Sequence, residues 1–410
     1  MRIFIGLTDF AHIASTYAKA FRALGHETYT LVAQRNLFYP DEHYDLVLSD
    51  VIPAQQHSGW KRLLSLGKWK RVVVPQFIRA LWTHDVFIFV FATSFFSSFL
   101  DYAILKLFKK QIVSVFLGDD VRYWYAFRER FRLLAGSEYS CPDNNEPYYG
   151  YRHNFYDTQL AKVKAAERYS DLILSQPDMD QLQSRPYMRV NTPLDLSEFR
   201  FSVPNRVVPI ILHAPSDKEV KGTTHVLAAI EQLRLEGIRF EFRLIEKVSN
   251  VKLREMLADA DIVIDQLWLT TIGTLAVESL ASGNVVLASY HQEFSAIPAG
   301  CPVVNVTPWN LTEKLREVIL NQPQRLALAY AGRPYVEKYH NHLLIGQQIL
   351  DWLKPGGIQR YDFKPTFFQD EFVMPSELLQ EERKKLRKLR PEGCWKRISQ
   401  ALRLESATTK

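Results

Sequence analysis

The chain has 410 residues and is 47% hydrophobic, enough to bury large cores and more than one domain usually holds. Its three cysteines, Cys141, Cys301 and Cys394, are scattered and odd in number, which excludes a disulfide framework or a cysteine-based zinc site and fits a reducing cytoplasm. The net charge of +6 favours anionic partners, but the basic residues are spread over many segments rather than gathered in a nucleic-acid motif, so no nucleic-acid partner is expected.

Met1-Arg2 runs straight into a strand pattern, Ile3-Phe4-Ile5-Gly6-Leu7, so no secretory signal is expected. A helix follows from Ala11 to Leu24 with Ile13, Tyr17, Phe21 and Leu24 on its apolar face, then strands at 27–33 and 46–48. The loop Thr8-Asp9-Phe10 lacks the G-x-G-x-x-G fingerprint of a dinucleotide site. His12 opens the helix, either as a catalytic or phosphate-facing group or as an ordinary helix-start residue. Residues 59–83 interleave Trp60 and Trp69 with Lys61, Arg62, Lys68, Lys70 and Arg71, which suits either an anionic membrane surface or a plain surface helix. The apolar run from Val86 to Leu107 contains Asp101, which a membrane span would not readily accept. It reads as a buried strand, 86–91, and a helix, about 97–109.

Strand 111–117 ends in Gly118-Asp119-Asp120-Val121-Arg122, which places two acids and an arginine at a strand's carboxyl end, where clefts form. Two adjacent acids are a weak metal signal and a common turn signal. Residues 136–156, rich in Tyr, Pro and Gly, read as a long surface loop. Helix 157–169 and strand 171–175 complete the first half, and Pro186, Pro193 and Pro204 mark the connection to the second.

The second half opens with strand 207–213. A polar loop leads through Lys218, Lys221 and Gly222 into helix 223–236, capped by Thr223 or Thr224. A cationic helix start fits a phosphate. Strand 240–245, helix 251–259 and strand 261–265 follow. Gly273 then precedes a helix, Thr274 to Ser282, with Thr274 as its cap and Gly283 in the left-handed conformation at its end. Thr274, Glu278 and Ser282 form one stripe, either solvated or presenting Glu278 to the hydroxyls of a ribose. Two β/α units thus put a cationic helix start and a glutamate at carboxyl ends of strands in one sheet, as a nucleotide diphosphate requires. Asn310, with Glu313 three residues on, caps helix 311–320, and helices follow near 322–338 and 341–353. The basic tail ends in a short amphipathic element, 394–404, suited to a membrane surface or to a solvated tail.

HAPSDKEVKGT and ADIVIDQLWLTTIGTLAVESLASGNVVLA resemble the retaining glycosyltransferases of the glycosyl transferases group 1 (family 4) branch, in a bacterial surface-polysaccharide subgroup. MRIFIG, FRALGHE and FLGDDVR are similar to the family's N-terminal blocks. The resemblance implies an α/β fold with two Rossmann-like domains facing across a cleft (GT-B). The implied limits are 1–190 for an acceptor domain, 191–206 for a linker, 207–353 for a nucleotide-sugar domain, 354–375 for a return segment and 376–410 for a basic tail. It implies Lys221 on the diphosphate, Glu278 on the ribose and Gly273 as the glycine of the motif, and with Lys218, Gly222, Thr270, Thr271 and Thr274 these make up the expected donor set. His12, Asp120 and Arg122, read from their places at a helix start and a strand's carboxyl end, form the expected catalytic set.

Five departures accompany the resemblance, two of them being Asp9-Phe10-Ala11-His12 in place of the Gly-rich first loop of many members and a shorter stretch than usual from strand 240–245 to 261. Thr270 stands where the family's motif has its first glutamate. Pro215-Ser216 stand near its usual basic residue, and Leu117-Gly118-Asp119-Asp120 replace the frequent His-Gly-Ser-Asp block. The expected reaction moves a sugar from a nucleotide diphosphate sugar to a saccharide or lipid-linked acceptor, without cofactor or metal, either in the cytoplasm or peripherally at the inner face of the plasma membrane. A nucleotide-sugar epimerase and a non-catalytic nucleotide-sugar-binding protein are the alternatives.

Overall fold

The computed structural model describes residues 1–51, 60–122, 156–176, 179, 185–295 and 297–362. The loop read over 136–156 lies outside these residues except for Tyr156, as do the basic tail and its 394–404 element. The first half alternates β1 (Arg2–Leu7), α1 (Ile13–Ala23), β2 (Glu27–Val32), β3 (Leu46–Val47), α2 (Leu48–Val51), α3 (Trp60–Thr83), β4 (Val86–Val90), α4 (Leu100–Leu107), β5 (Gln111–Val115), α5 (Tyr156–Tyr169), β6 (Leu172–Ser175) and β7 (Met188–Arg189). The strands form one parallel sheet in the order β3-β2-β1-β4-β5-β6-β7. Strands covered on both faces read as continuous apolar runs, and β4 is buried at every position. Strand order reverses between β1 and β4, which opens a crevice at their carboxyl ends.

The run at 86–107 is core. Val86, Phe87, Phe89 and Tyr102 are buried, and so is Asp101, whose carboxylate accepts the N–H of Phe95 at 2.8 Å. Its helix starts at Leu100, later than the periodicity suggests, after Phe99 takes a left-handed turn. No helix among the described residues is long and apolar enough to cross a membrane. The C-terminal half of α3 packs Val73, Phe77, Ala80 and Leu81 against Phe4 and Phe95, and leaves Ile78 and Trp82 exposed.

The second half contains β8 (Ile210–His213), α6 (Thr223–Leu235), β9 (Glu241–Leu244), α7 (Asn250–Leu257), β10 (Ile262–Ile264), α8 (Thr274–Ser282), β11 (Val285–Ala288), α9 (Gln292–Ser295), β12 (Val304–Asn305), α10 (Leu311–Leu320), α11 (Gln322–Tyr339) and α12 (His342–Trp352). Its parallel sheet has the order β12-β11-β10-β8-β9 and reverses between β8 and β10. Gly283 takes the expected left-handed conformation, φ 96°, after α8.

Among the described residues the chain crosses between the two halves twice, side by side. Leu194 N donates to His340 O at 2.7 Å, and His342 N donates to Leu194 O at 3.1 Å. The return comes one helix earlier than expected. Ile345, Ile349 and Leu350 of α12 pack with Ile13, Tyr17 and Phe21 of α1, so this helix completes the first core.

The helix caps also differ from expectation. Gly222 and Gly273 are the N-caps of α6 and α8, and neither helix start has a side-chain cap. Thr223 and Thr274 are the first helical residues instead. The Asn310 side chain does not cap α10 but accepts the N–H of Thr307 at 2.7 Å, which closes the preceding turn.

Candidate functional site

A cavity of about 1720 Å³ lies between the two sheets. Its wall includes Thr8, Phe91, Phe116, Ala214, Ile245 and Gln266, each just past the end of a strand. Both sheets therefore turn their carboxyl ends to one cleft, the place where open α/β sheets hold ligands.

On the C-terminal side, the crevice between β8 and β10 is built around His213. Burial pushes its imidazole below the ordinary value. Nδ1 lies 2.8 Å from the carbonyl of Ile264, which can only accept, so Nδ1 carries the proton. In the neutral ring Nε2 then accepts from the hydroxyl of Thr223 at 3.0 Å. The histidine ties the first residue of α6 to the neighbouring strand and leaves that hydroxyl no capping role. Gly222 sits at φ 68°, and a Cβ there would stand 2.9 Å from Leu267 Cβ, so the turn requires glycine. The Thr223 N–H donates to Lys218 O and the His225 N–H to Gly222 O, each at 2.9 Å, so of the first three N–H groups of α6 that of Thr224, on the cavity wall, is left for a ligand.

Lys221 joins this helix start and binds Asp265, which is fully buried, while its Nζ lies 3.4 Å from Gln266 Oε1. Asp265 Oδ2 is buried without a hydrogen-bond partner. A Cβ at Gly273 would approach Gln266 Oε1 to 2.7 Å and Asp265 Oδ2 to 2.9 Å, so glycine keeps room for the pair that holds the lysine. Sequence reasoning did not single out Asp265 or Gln266. Their signal was the acid and amide directly after the apolar strand Ile262–Ile264.

Glu278 is 2% exposed, and all its neighbours along α8 from Leu275 to Ser282 are buried, which rules out a solvated stripe. A carboxylate there needs donors. Its Oε1 accepts from Asn250 Nδ2 at 3.0 Å and from the Tyr39 hydroxyl at 3.4 Å, with His12 Nε2 3.7 Å away. Burial, and next the charge of Glu278, hold the Tyr39 phenol well above its ordinary pKa, so Tyr39 is the donor. Tyr39 and His12 belong to the first half of the chain and Asn250 to the second. Nothing in the sequence pattern linked them to Glu278.

The structure brings many of the expected residues together. Lys218, Lys221, Gly222, Thr271, Gly273, Thr274, Glu278 and Arg122 all lie on the cavity wall. Lys218 pairs with Glu246 at 2.7 Å, and the carbonyl of Thr271 accepts from Gln266. Three others stand behind the wall. Thr270 is 1% exposed, and its carbonyl accepts the N–H of His291. His12 is stacked behind Tyr39 with ring centroids 4.5 Å apart. Asp120 accepts the N–H groups of Gly118 at 2.7 Å and Leu117 at 3.1 Å, as a turn-forming acid does. Burial pushes its carboxyl up to about 6, although the Gly118 N–H and the charge of Lys162 oppose the shift. The turn it closes carries Arg122, which binds Asp119. Phe10 and Phe91 stack beside this region with centroids 5.0 Å apart and line the N-terminal wall. Among the described residues no three His, Cys, Asp or Glu side chains are grouped as a metal site.

No family model matches the chain, and no curated protein matches it. Solved structures do match. Sucrose-phosphate synthase from Thermosynechococcus elongatus superposes with a TM-score of 0.56 at 14% identity, over 85% of this chain and 96% of that one. HepE from Anabaena, in complex with UDP and glucose, gives 0.54 at 14% identity, over 86% and 98%. WaaG, a glycosyltransferase involved in lipopolysaccharide biosynthesis, gives 0.53 at 15% identity, over 87% and 100%. At these identities the likeness shows the fold: two Rossmann-like domains facing across a cleft, the GT-B arrangement.

Proposed function

We propose that the chain is a retaining glycosyltransferase of the family 4 type, moving a sugar from a nucleotide diphosphate sugar to an acceptor hydroxyl in cell-surface polysaccharide or glycolipid synthesis. The observation that carries this reading is that Lys221 with the uncapped start of α6, and Glu278, lie on one cavity wall at the carboxyl ends of a parallel sheet. Fold neighbours that bind UDP and UDP-glucose support a nucleotide-sugar donor.

In this mechanism Lys221 and the α6 start bind the diphosphate, and Glu278 takes the ribose hydroxyls. The bond from the anomeric carbon to the phosphate oxygen breaks, and its electron pair goes to the diphosphate. Preorganised positive charge at the leaving group lowers that barrier, and losing one such contact typically costs about 2.7–4 kcal/mol. The acceptor oxygen attacks from the same face, and its proton passes to a phosphate oxygen. Arg122 orients the acceptor or the phosphate. Asp120 acts by holding the turn that carries Arg122. The stacked pair Phe10 and Phe91 supplies an apolar plane on the acceptor side. Exposed Trp82 of α3, in edge contact with exposed Phe108 and followed in sequence by Lys109 and Lys110, supports a peripheral contact with an anionic membrane.

A thermal-shift screen of nucleotide sugars tests the reading. One donor should stabilise the wild type but not Lys221→Ala or Glu278→Ala. Equal stabilisation of all three would remove the assignment. Stabilisation by a donor with neither transfer nor hydrolysis would leave a binding protein, and conversion of the donor to its epimer, with no acceptor and no nucleotide released, would make the chain an epimerase.

A further inference from the structure

We propose that the loop around residues 36–39, in the N-terminal half, is the outer wall of the ribose and base end of the donor site, and that Tyr39 couples nucleotide binding to closure of the two domains. This rests on the reading of the cavity as a nucleotide-sugar site with Glu278 at the ribose.

The carboxylate assigned to the ribose is held from both domains. Oε1 of Glu278 accepts from Asn250 on its own side and from Tyr39 across the cleft. Among the described residues Oε2 carries no hydrogen bond, so it is the oxygen left for ribose hydroxyls. The backbone repeats the link, because Asn250 N donates to Phe38 O at 2.7 Å. Behind Tyr39, the His12 ring is stacked on the phenol, and its buried Nε2 has no hydrogen-bond partner. That nitrogen lies 3.7 Å from the same Glu278 oxygen, so His12 backs the Tyr39–Glu278 contact from behind the wall. Lys19 binds Glu198 at 2.7 Å and Arg254 binds the same carboxylate, so a charged chain braces the same interface.

The second domain leaves only residues 245–249 between β9 and α7. Of that stretch Ile245, Lys247 and Val248 lie on the cavity wall. Phe38, 40% exposed, whose carbonyl accepts the Asn250 N–H, and Leu37, 91% exposed, lie on the same wall and add apolar surface from the N-terminal half. Tyr39 is thus a positioning residue. It fixes the carboxylate that meets the ribose, and it makes that contact only when the two domains are together.

Calorimetric titrations with UDP, GDP and ADP, and with inorganic pyrophosphate as a control, test this. Whichever nucleoside diphosphate binds the wild type should bind Tyr39→Phe about three- to tenfold more weakly, the effect of one lost hydrogen bond. Phe38→Ala should weaken it as well. Pyrophosphate, which reaches only the Lys221 end, should bind all three proteins alike. Unchanged or tighter nucleotide binding by Tyr39→Phe overturns the proposal, and so does equal weakening of nucleotide and pyrophosphate. If Glu278→Ala keeps full nucleotide affinity, or no nucleoside diphosphate binds the wild type, the underlying site reading fails first.

Discussion

Replacing Lys221 with methionine separates two roles that the structure gives this lysine. Asp265 is 0% exposed, and its Oδ2 already lacks a partner, so Lys221 is the cation that keeps this buried carboxylate tolerable. Removing one member of a buried ion pair costs about 3–5 kcal/mol, because the other charge is left uncompensated. For a domain of about 150–250 residues each kcal/mol moves the melting midpoint by roughly 2–4 °C, so Lys221→Met should melt at least about 6 °C lower. Changing both residues, to Lys221→Met and Asp265→Asn, removes the stranded charge and should recover most of the loss. Nucleotide binding should not recover, because the double variant still lacks the positive charge for the diphosphate. Differential scanning calorimetry and a nucleotide titration on wild type, single and double variants measure both quantities. A single variant as stable as the wild type would show that the pair is not a buried ion pair. A double variant with wild-type nucleotide affinity would refute the assignment of Lys221 to the diphosphate.

Asp101 gives a pH signature. Burial pushes its carboxyl up to about 7, so between its unfolded value and that point the folded state holds a proton that the unfolded state has lost. Stability should therefore fall as pH rises from about 4 to 7, by at most about 1.4 kcal/mol per pH unit, and Asp101→Asn should flatten that slope; an unchanged slope in denaturant titrations would contradict it. Gly222→Ala forces a left-handed alanine against Leu267, and the strain and overpacking together should cost about 2–5 kcal/mol in urea unfolding, against no change if the turn can relax. Because the diphosphate contact is assigned to a lysine and a helix start, turnover should survive EDTA, and activity lost to the chelator and restored by magnesium would refute that.

The sheet strands and the helices around the cleft were legible because the chain alternates apolar runs of strand length with amphipathic helices. The α8 unit was clear for the same reason, with Gly273 and Gly283 punctuating it on either side. The residues around Glu278 were not legible. Tyr39 and Asn250 are 239 and 28 positions from it in the chain, and no local pattern reports such a contact. The capping assignments failed because Thr223 and Thr274 are good N-cap residues that follow glycines already in that position. Thr223 spends its hydroxyl on His213, a partner one strand away. Asp120 looked like a site acid because it ends a strand, but its oxygens are taken by the N–H groups of its own turn.

A crystal structure with the nucleotide sugar selected by the thermal-shift screen tests the central claim most directly. The pyrophosphate should lie within about 3 Å of Lys221 Nζ and the start of α6, with ribose hydroxyls on Glu278 at hydrogen-bond distance. A nucleotide bound with its phosphates away from α6, or its ribose away from Glu278, would contradict the account.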